Sequence, residues 1–241
     1  KSAYEGVLLV KVFDMSIEQR VSDAEFAAAA RLRSYGVLSL FKRIDVEAAT
    51  LGQIGGGLRP GQFHHINRDG VNRAVEVNWD PTQVTTKATV AFPNWGDPPP
   101  TKAQKLSAVD PLTQLTRIAL TPPGRAPCGG EAMIFDGRQL YRLTFTAPTA
   151  RALPERERRM GLISPIRCAF TFAEVAGFDR KAPGRQNQGL TQPMVMELAR
   201  TGDDGPWVIT AVRGRTPLGE ARVELRSVSA ESPAVRLASG G

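Results

Sequence analysis

Apolar and polar residues alternate along much of the chain with a period of two. Val75, Val77 and Trp79 stand against Glu76 and Asn78, and Tyr141, Leu143 and Phe145 stand against Arg142 and Thr144. The same alternation runs through "CAFTF" (Cys168 to Phe172), "MVMEL" (Met194 to Leu198), "WVITAV" (Trp207 to Val212) and "EARVELRSV" (Glu220 to Val228). A strand with one face buried reads this way, because successive side chains point to opposite sides of a sheet. The last four-fifths of the chain is therefore predicted to be a succession of half-buried strands. Asp69-Gly70, Asp136-Gly137 and the loop from Gly202 to Gly205 fall between such runs, where tight turns favour glycine and tolerate aspartate. Three hairpins are expected there.

Two segments depart from this pattern. "SDAEFAAAARLRSYGVLSLFKR", from Ser22, carries an N-cap signal and four consecutive alanines, so intrinsic propensity favours a helix. Phe26, Ala28, Ala30 and Leu32 also fall at period two, and small residues suit a strand that closely approaches another layer. The residues leave both readings open. "DPLTQLTRIAL", from Asp110, has a capping aspartate, proline at the first helical position, and Leu112, Leu115 and Ile118 or Ala119 at helical spacing. It is expected to be a helix. "FPNWGDPPPTKAQK" (Phe92 to Lys105) holds too many prolines for a regular element and is expected to be a surface loop.

Composition agrees with many short elements joined by turns. The 241 residues include 23 glycines and 18 prolines, spread along the whole length, and are read as a single domain over 1–241 of the all-β, mainly antiparallel class. A net charge of +7 is compatible with nucleic acid, anionic headgroups or an acidic glycan. The densest basic stretch, "RALPERERRM" (Arg151 to Met160), mixes two glutamates with four arginines and reads as a solvated loop or short helix. No RNA-binding signature, zinc-finger spacing or heptad-backed basic region accompanies it, so no nucleic-acid partner is expected. No apolar run reaches the eighteen or so residues of a membrane-spanning helix. A chain that begins at Lys1 in a strand-like segment suits a mature protein whose signal peptide, if it had one, is already removed.

Cys128 and Cys168 lie forty residues apart, each at the start of a strand-like run. A nucleophilic cysteine needs a base, and the two histidines, His64 and His65, are adjacent on a predicted strand, so only one would reach any given site. A structural zinc needs four ligands, which two cysteines and one usable histidine do not supply. Two buried thiols and a disulfide both remain compatible with the residues.

"LGQIGGGLRPGQFHH" (Leu51 to His65), then "RAVEVNW" (Arg73 to Trp79), "VDPLTQL" (Val109 to Leu115), "IFDGRQLYRLTF" after Cys128, and "AGF" (Ala176 to Phe178) after Cys168 follow one another along the chain. In this order the motifs resemble the periplasmic family of Gram-negative bacteria known as domain of unknown function 3108. The resemblance covers most of the chain and includes no catalytic signature. It implies export to the periplasm, a Cys128–Cys168 disulfide, and a strongly curved antiparallel sheet, a β-spiral or open barrel, with one or two short helices. It also implies that "FAAAARLRSYGVLSLF" is a strand followed by a short helical turn. The proline-rich loop and the basic "PERERR" segment have no place in the family pattern.

Candidate chemistry is sparse. "GQIGGG" (Gly52 to Gly57) lacks the spacing of a phosphate-binding loop and precedes Leu58-Arg59-Pro60, so it reads as a turn or bulge. Neither a G-x-S-x-G elbow nor an H-E-x-x-H pair occurs. No catalytic centre, metal or cofactor is expected. The aromatic residues Trp79, Phe92, Trp95, Tyr141, Phe145, Phe170 and Phe172 are candidates to line a ligand pocket on a concave sheet. Arg59, Arg73 and Arg138 are candidates for a basic rim. The expected function is non-enzymatic binding of a lipid, lipoprotein or other envelope component in support of the cell envelope. The alternatives are a protein–protein adaptor in envelope assembly and a hydrolase acting on an envelope glycan or lipid, which convergent carboxylates or a cluster around His65 would favour.

Overall fold

The computed structural model describes residues 1–7, 11–34, 44–68, 72–179, 192–216 and 219–229. A first meander comprises β1 (Ser2–Val7), β2 (Lys11–Val21), β3 (Glu25–Ser34), β4 (Asp45–Ile54), β5 (Leu58–Asn67), β6 (Arg73–Trp79) and β7 (Val84–Ala88). Helices α1 (Lys102–Ser107) and α2 (Pro111–Ala119) follow. The second meander comprises β8 (Gly130–Phe135), β9 (Leu140–Phe145), the two-residue β10 (Thr149–Ala150), helix α3 (Glu155–Arg159), β11 (Ile163–Ala176), β12 (Met194–Arg200), β13 (Trp207–Thr216) and β14 (Gly219–Val228).

Among the described residues all fourteen strands belong to one antiparallel sheet. Its order is β7-β6-β5-β4-β3-β2-β1-β14-β13-β12-β11-β9-β8, with β10 paired to β11. β14 lies beside β1, so the end of the second meander continues the start of the first. β7 and β8 remain edges, and the sheet is curved without closing. Register shifts between Ala3 and Tyr4, Leu51 and Gly52, and Glu197 and Leu198 each insert an extra residue on one strand, which bends the sheet and increases its twist.

The open edges overlap instead of pairing. Asp136 and Gly137 form the β8–β9 turn, and a Cβ added at Gly137 would stand 2.6 Å from Val75 Cγ1 and 3.0 Å from Val77 Cγ2, both on β6. The hairpin tip is thus pressed against the first meander, with φ of 105° at the glycine. Only glycine meets both demands. Gly137→Ala is expected to cost about 1–3 kcal/mol through overpacking and backbone strain, read as a lower urea midpoint with an unchanged far-UV spectrum. The free side of β8 takes a parallel bridge from Val109, whose N–H donates to Met133 O at 3.0 Å while Phe135 N–H donates to Val109 O at 2.9 Å.

The alanine run is strand β3. Phe26 and Ala28 are buried while Ala29 is exposed, and Ala28 and Ala30 pack in the same core cluster as Leu112 and Leu115 of α2. Alanine's helix propensity yields here to the pairing of β3 with both neighbours and to the room that small side chains leave for α2. Ser22 caps no helix: its hydroxyl accepts from Glu25 N–H at 3.0 Å in the β2–β3 turn. The expected helical turn after β3 and the Asp69-Gly70 turn lie outside the described residues. The Asp136-Gly137 and Gly202 to Gly205 hairpins are present.

Helix α2 forms as the sequence predicts, with Asp110 capping and Pro111 at its first position. The expectation of loop through Lys105 is corrected. Thr101 and Gln104 form a reciprocal capping box, which starts α1 as soon as the prolines end. The basic segment holds α3, and its four arginines all have acidic partners: Arg151 with the buried Glu157 at 2.5 Å, Arg156 with Glu224 at 3.0 Å, and Arg158 and Arg159 with Glu155. Arg151, through the Thr210 hydroxyl, and Arg156, through Glu224, hold the segment on the sheet, while Arg158 and Arg159 pair within the helix.

Cys128 and Cys168 form a disulfide with Cα atoms 6.6 Å apart, joining the chain just before β8 to β11. Both are buried in a cluster with Ile118, Phe145 and Trp207.

Candidate binding cavity

A cavity of about 1300 Å³ opens beside the C-terminal half of α2. Its walls come from the end of β2 (Ile17 to Val21), from α2 and the chain after it (Leu115 to Pro123), and from the end of β12, the following turn and the start of β13 (Arg200 to Ile209). Apolar side chains, among them Ile17, Leu115, Ile118 and Ile209, share the lining with polar ones. Such a volume exceeds the roughly 300–1,000 Å³ usual for small-molecule sites.

The roof is fixed at both ends of α2. Asp110 is fully buried; its Oδ1 accepts from Leu112 N–H and Thr113 N–H, each at 2.9 Å, and its Oδ2 accepts from the Thr50 hydroxyl of β4 at 3.0 Å and from the Thr113 hydroxyl. Burial raises the Asp110 pKa, opposed by these hydrogen bonds. Further along, Gln19 Nε2 donates to Thr116 Oγ1 at 3.0 Å, and Arg117 Nη2 donates to Leu58 O at 2.7 Å. Burial lowers the Arg117 pKa, with the Asp110 charge opposing.

The charged lining residues are Lys1, Glu18, Arg20, Arg200 and Asp204. Lys1 Nζ stands 2.5 Å from Glu18, and this hydrogen bond and charge hold the Glu18 pKa below its ordinary value. Arg200 is 6% exposed, and its Nε and Nη2 donate to Gly205 O at 3.1 and 2.8 Å. Its guanidinium carbon stands 5.4 Å from the centre of the Trp207 ring.

None of the seven aromatic candidates lines this cavity. Trp79 meets Phe135 edge-on at 6.4 Å; Phe92 meets Trp95 at 5.3 Å; Tyr141 pairs with Phe172 at 4.9 Å and Phe145 with Phe170 at 5.7 Å. Burial, with the charges of Asp136 and Asp110, pushes the Tyr141 pKa up. Arg73 and Arg138 lie over Phe92, at 4.5 and 5.5 Å; Arg73 Nε donates to Val90 O at 2.9 Å, and Arg138 Nη2 to Asn94 Oδ1 at 2.8 Å. These two arginines brace the proline-rich loop, and Arg59 is no part of the cavity lining either. The aromatic that the cavity does use is Trp207, legible in the sequence only as the start of a strand.

His64 and His65 diverge as adjacent strand residues must. His64 stands opposite Glu76, and His65 opposite Val75. Burial lowers the His65 pKa, opposed by the charge and a main-chain hydrogen bond of Asp136. The Asp136 carboxylate itself accepts from Arg138 N–H at 2.9 Å and Gln139 N–H at 2.7 Å, and burial raises its pKa. These contacts anchor a hairpin. In the "GQIGGG" stretch Gly52 to Ile54 end β4 and Gly55 to Gly57 form the β4–β5 turn, where Gly55 N–H donates to Gly57 O at 3.2 Å. Among the described residues no three His, Cys, Asp or Glu side chains converge to hold a metal, and no helix is long and apolar enough to cross a membrane.

A fourteen-stranded, strongly curved, unclosed antiparallel sheet enclosing a short helix defines a barrel-like class of protein. No family model and no curated protein matches the chain. Among solved structures, its fold is similar to that of a β-barrel-like protein of domain of unknown function DUF1849 from Brucella abortus, with a TM-score of 0.55, 12% identity and 94% of each chain covered. At that identity the likeness is one of fold.

Proposed function

We propose that the chain is a non-enzymatic binding protein of the bacterial envelope that holds an amphiphilic ligand, a lipid or the lipid part of a lipoprotein, in the cavity beneath α2. The observation that carries this reading is the cavity itself, whose size and mixed apolar and polar lining suit a chain with a polar end. The disulfide supports a location outside the reducing cytosol, and the periplasm is the compartment we assign. The order of motifs resembling domain of unknown function 3108 supports the same placement, and we propose that family, with a signal peptide preceding Lys1, as the chain's affiliation.

The test is native mass spectrometry of protein purified without delipidation, followed by displacement of a fluorescent apolar probe. Bound lipid, or saturable probe binding, is expected in the wild type. Ile209→Trp, which fills the cavity from its half-buried wall, is expected to weaken probe binding by tenfold or more with the far-UV spectrum unchanged. Absence of saturable binding, or equal binding by the filled variant, would remove the cavity from consideration.

A further inference from the structure

We propose that Arg200, seated over the Trp207 ring, forms the headgroup site of this cavity and that the ligand is a long-chain carboxylate; the proposal rests on the binding role given above. Arg200 lies 94% out of solvent contact, taking its 6% exposure from unity, yet it has no carboxylate within ion-pair distance among the described residues. The comparably buried Arg151 shows the usual solution, with Glu157 at 2.5 Å and the Thr210 hydroxyl at 2.8 Å. A buried guanidinium without a counter-charge is costly to keep, and proteins that retain one generally give it an anion.

The donors left over have a matching shape. A guanidinium carries five N–H groups in a planar fork, and Arg200 directs two of its nitrogens at the single carbonyl of Gly205. The Trp207 indole N–H is buried out of reach of the cavity and has no acceptor among the described residues, so the ring serves as a surface under the guanidinium. Both residues line the cavity, with the Arg200 guanidinium carbon 5.4 Å from the centre of the Trp207 ring. The guanidinium N–H groups that Gly205 leaves unused are complementary to a carboxylate, which accepts on two oxygens. Ile17, Leu115, Ile118 and Ile209 provide apolar wall for the chain attached to it.

The placement of charge favours one negative charge over two. Lys1 pairs with Glu18. Asp204 stands on the same lining as Arg200, so the second charge of a phosphate monoester would meet a carboxylate.

The experiment compares dodecanoate, dodecanol and dodecyl phosphate as competitors of the apolar probe on the wild-type protein at neutral pH and low salt. Dodecanoate is expected to bind about tenfold or more tightly than dodecanol, and dodecyl phosphate no more tightly than dodecanoate. The preference for carboxylate over alcohol is expected to close in Arg200→Gln. Equal binding of dodecanoate and dodecanol by the wild type would overturn the headgroup site while leaving the cavity's role standing. Tighter binding of dodecyl phosphate would overturn the carboxylate assignment, and binding of none of the three would overturn the role itself. The wild-type comparison decides even if Arg200→Gln does not fold.

Discussion

Reducing the Cys128–Cys168 bond is expected to lower the unfolding free energy by about 4 kcal/mol, the chain-entropy value for a loop of some forty residues. The bond spans a sequence separation of 40 and closes a loop holding β8, β9, β10 and α3. β8 is an edge strand, paired with β9 on one side and only bridged by Val109 on the other, so little else ties its start to the sheet. Both sulfurs lie in the apolar cluster with Ile118 and Trp207, where two thiols would still pack, so the loss comes mainly from the freer unfolded chain. Against a typical stability of about 5–15 kcal/mol this is a large share. For a domain of this size it corresponds to a fall in Tm of about 10 °C. Calorimetry with and without reductant, checked by alkylation, measures it, and Cys128→Ser with Cys168→Ser should reproduce the reduced value. An unchanged transition would mean that the bond constrains nothing that unfolding releases.

The strands were legible because a sheet with one buried face imposes a period of two, and α2 was legible because Asp110 and Pro111 mark its start. β3 was ambiguous for a physical reason. Alanine serves a helix by propensity and a crowded strand by size, and only the approach of Leu112 and Leu115 to Ala28 and Ala30 decides between them. The glycine of Asp136-Gly137 was readable as a turn residue. That Val75, some sixty residues earlier in the chain, leaves no room there for a Cβ was not, since close approach leaves no local pattern. The same limit hid the cavity. β2, α2 and the β12–β13 turn meet only after the sheet curls, and the aromatics that suggested a pocket satisfy one another in pairs. Arg200 offers one signal in the sequence, a charge in register with the strand residues Met196 and Leu198, whose faces turn inward. A charged residue on an apolar face of a strand asks for a partner that the neighbouring sequence does not supply.

Replacing Asp110 by alanine is expected to cost about 3 kcal/mol and to weaken ligand binding with it. One carboxylate caps α2 through two main-chain N–H groups and ties it to β4 through Thr50, so alanine removes a helix cap, worth about 1 kcal/mol, and leaves buried hydroxyls short of an acceptor, at about 1–3 kcal/mol. The Thr50 hydroxyl keeps an alternative acceptor in Gln62 O at 3.1 Å, which holds the total near the middle of that range. Asp110→Asn retains an acceptor for the cap, and its amide can donate to the two threonine oxygens, so it should recover most of the loss. The pair also separates burial from charge. Burial raises the folded-state pKa of Asp110 above 3.8, so the native protein keeps this proton to higher pH than the unfolded chain does. Its contribution to stability is therefore fully present below 3.8 and is lost as pH rises through the raised value. The asparagine variant has no such proton. The stability advantage of wild type over Asp110→Asn is thus expected to be greatest near pH 3 and to narrow towards about pH 7, measured as the difference between denaturant midpoints across that range. A gap that widens with pH would show the hydrogen bonds to outweigh burial. The anchor of α2 would then be a charge held by its donors, and the roof of the cavity would tighten, not loosen, as that charge forms.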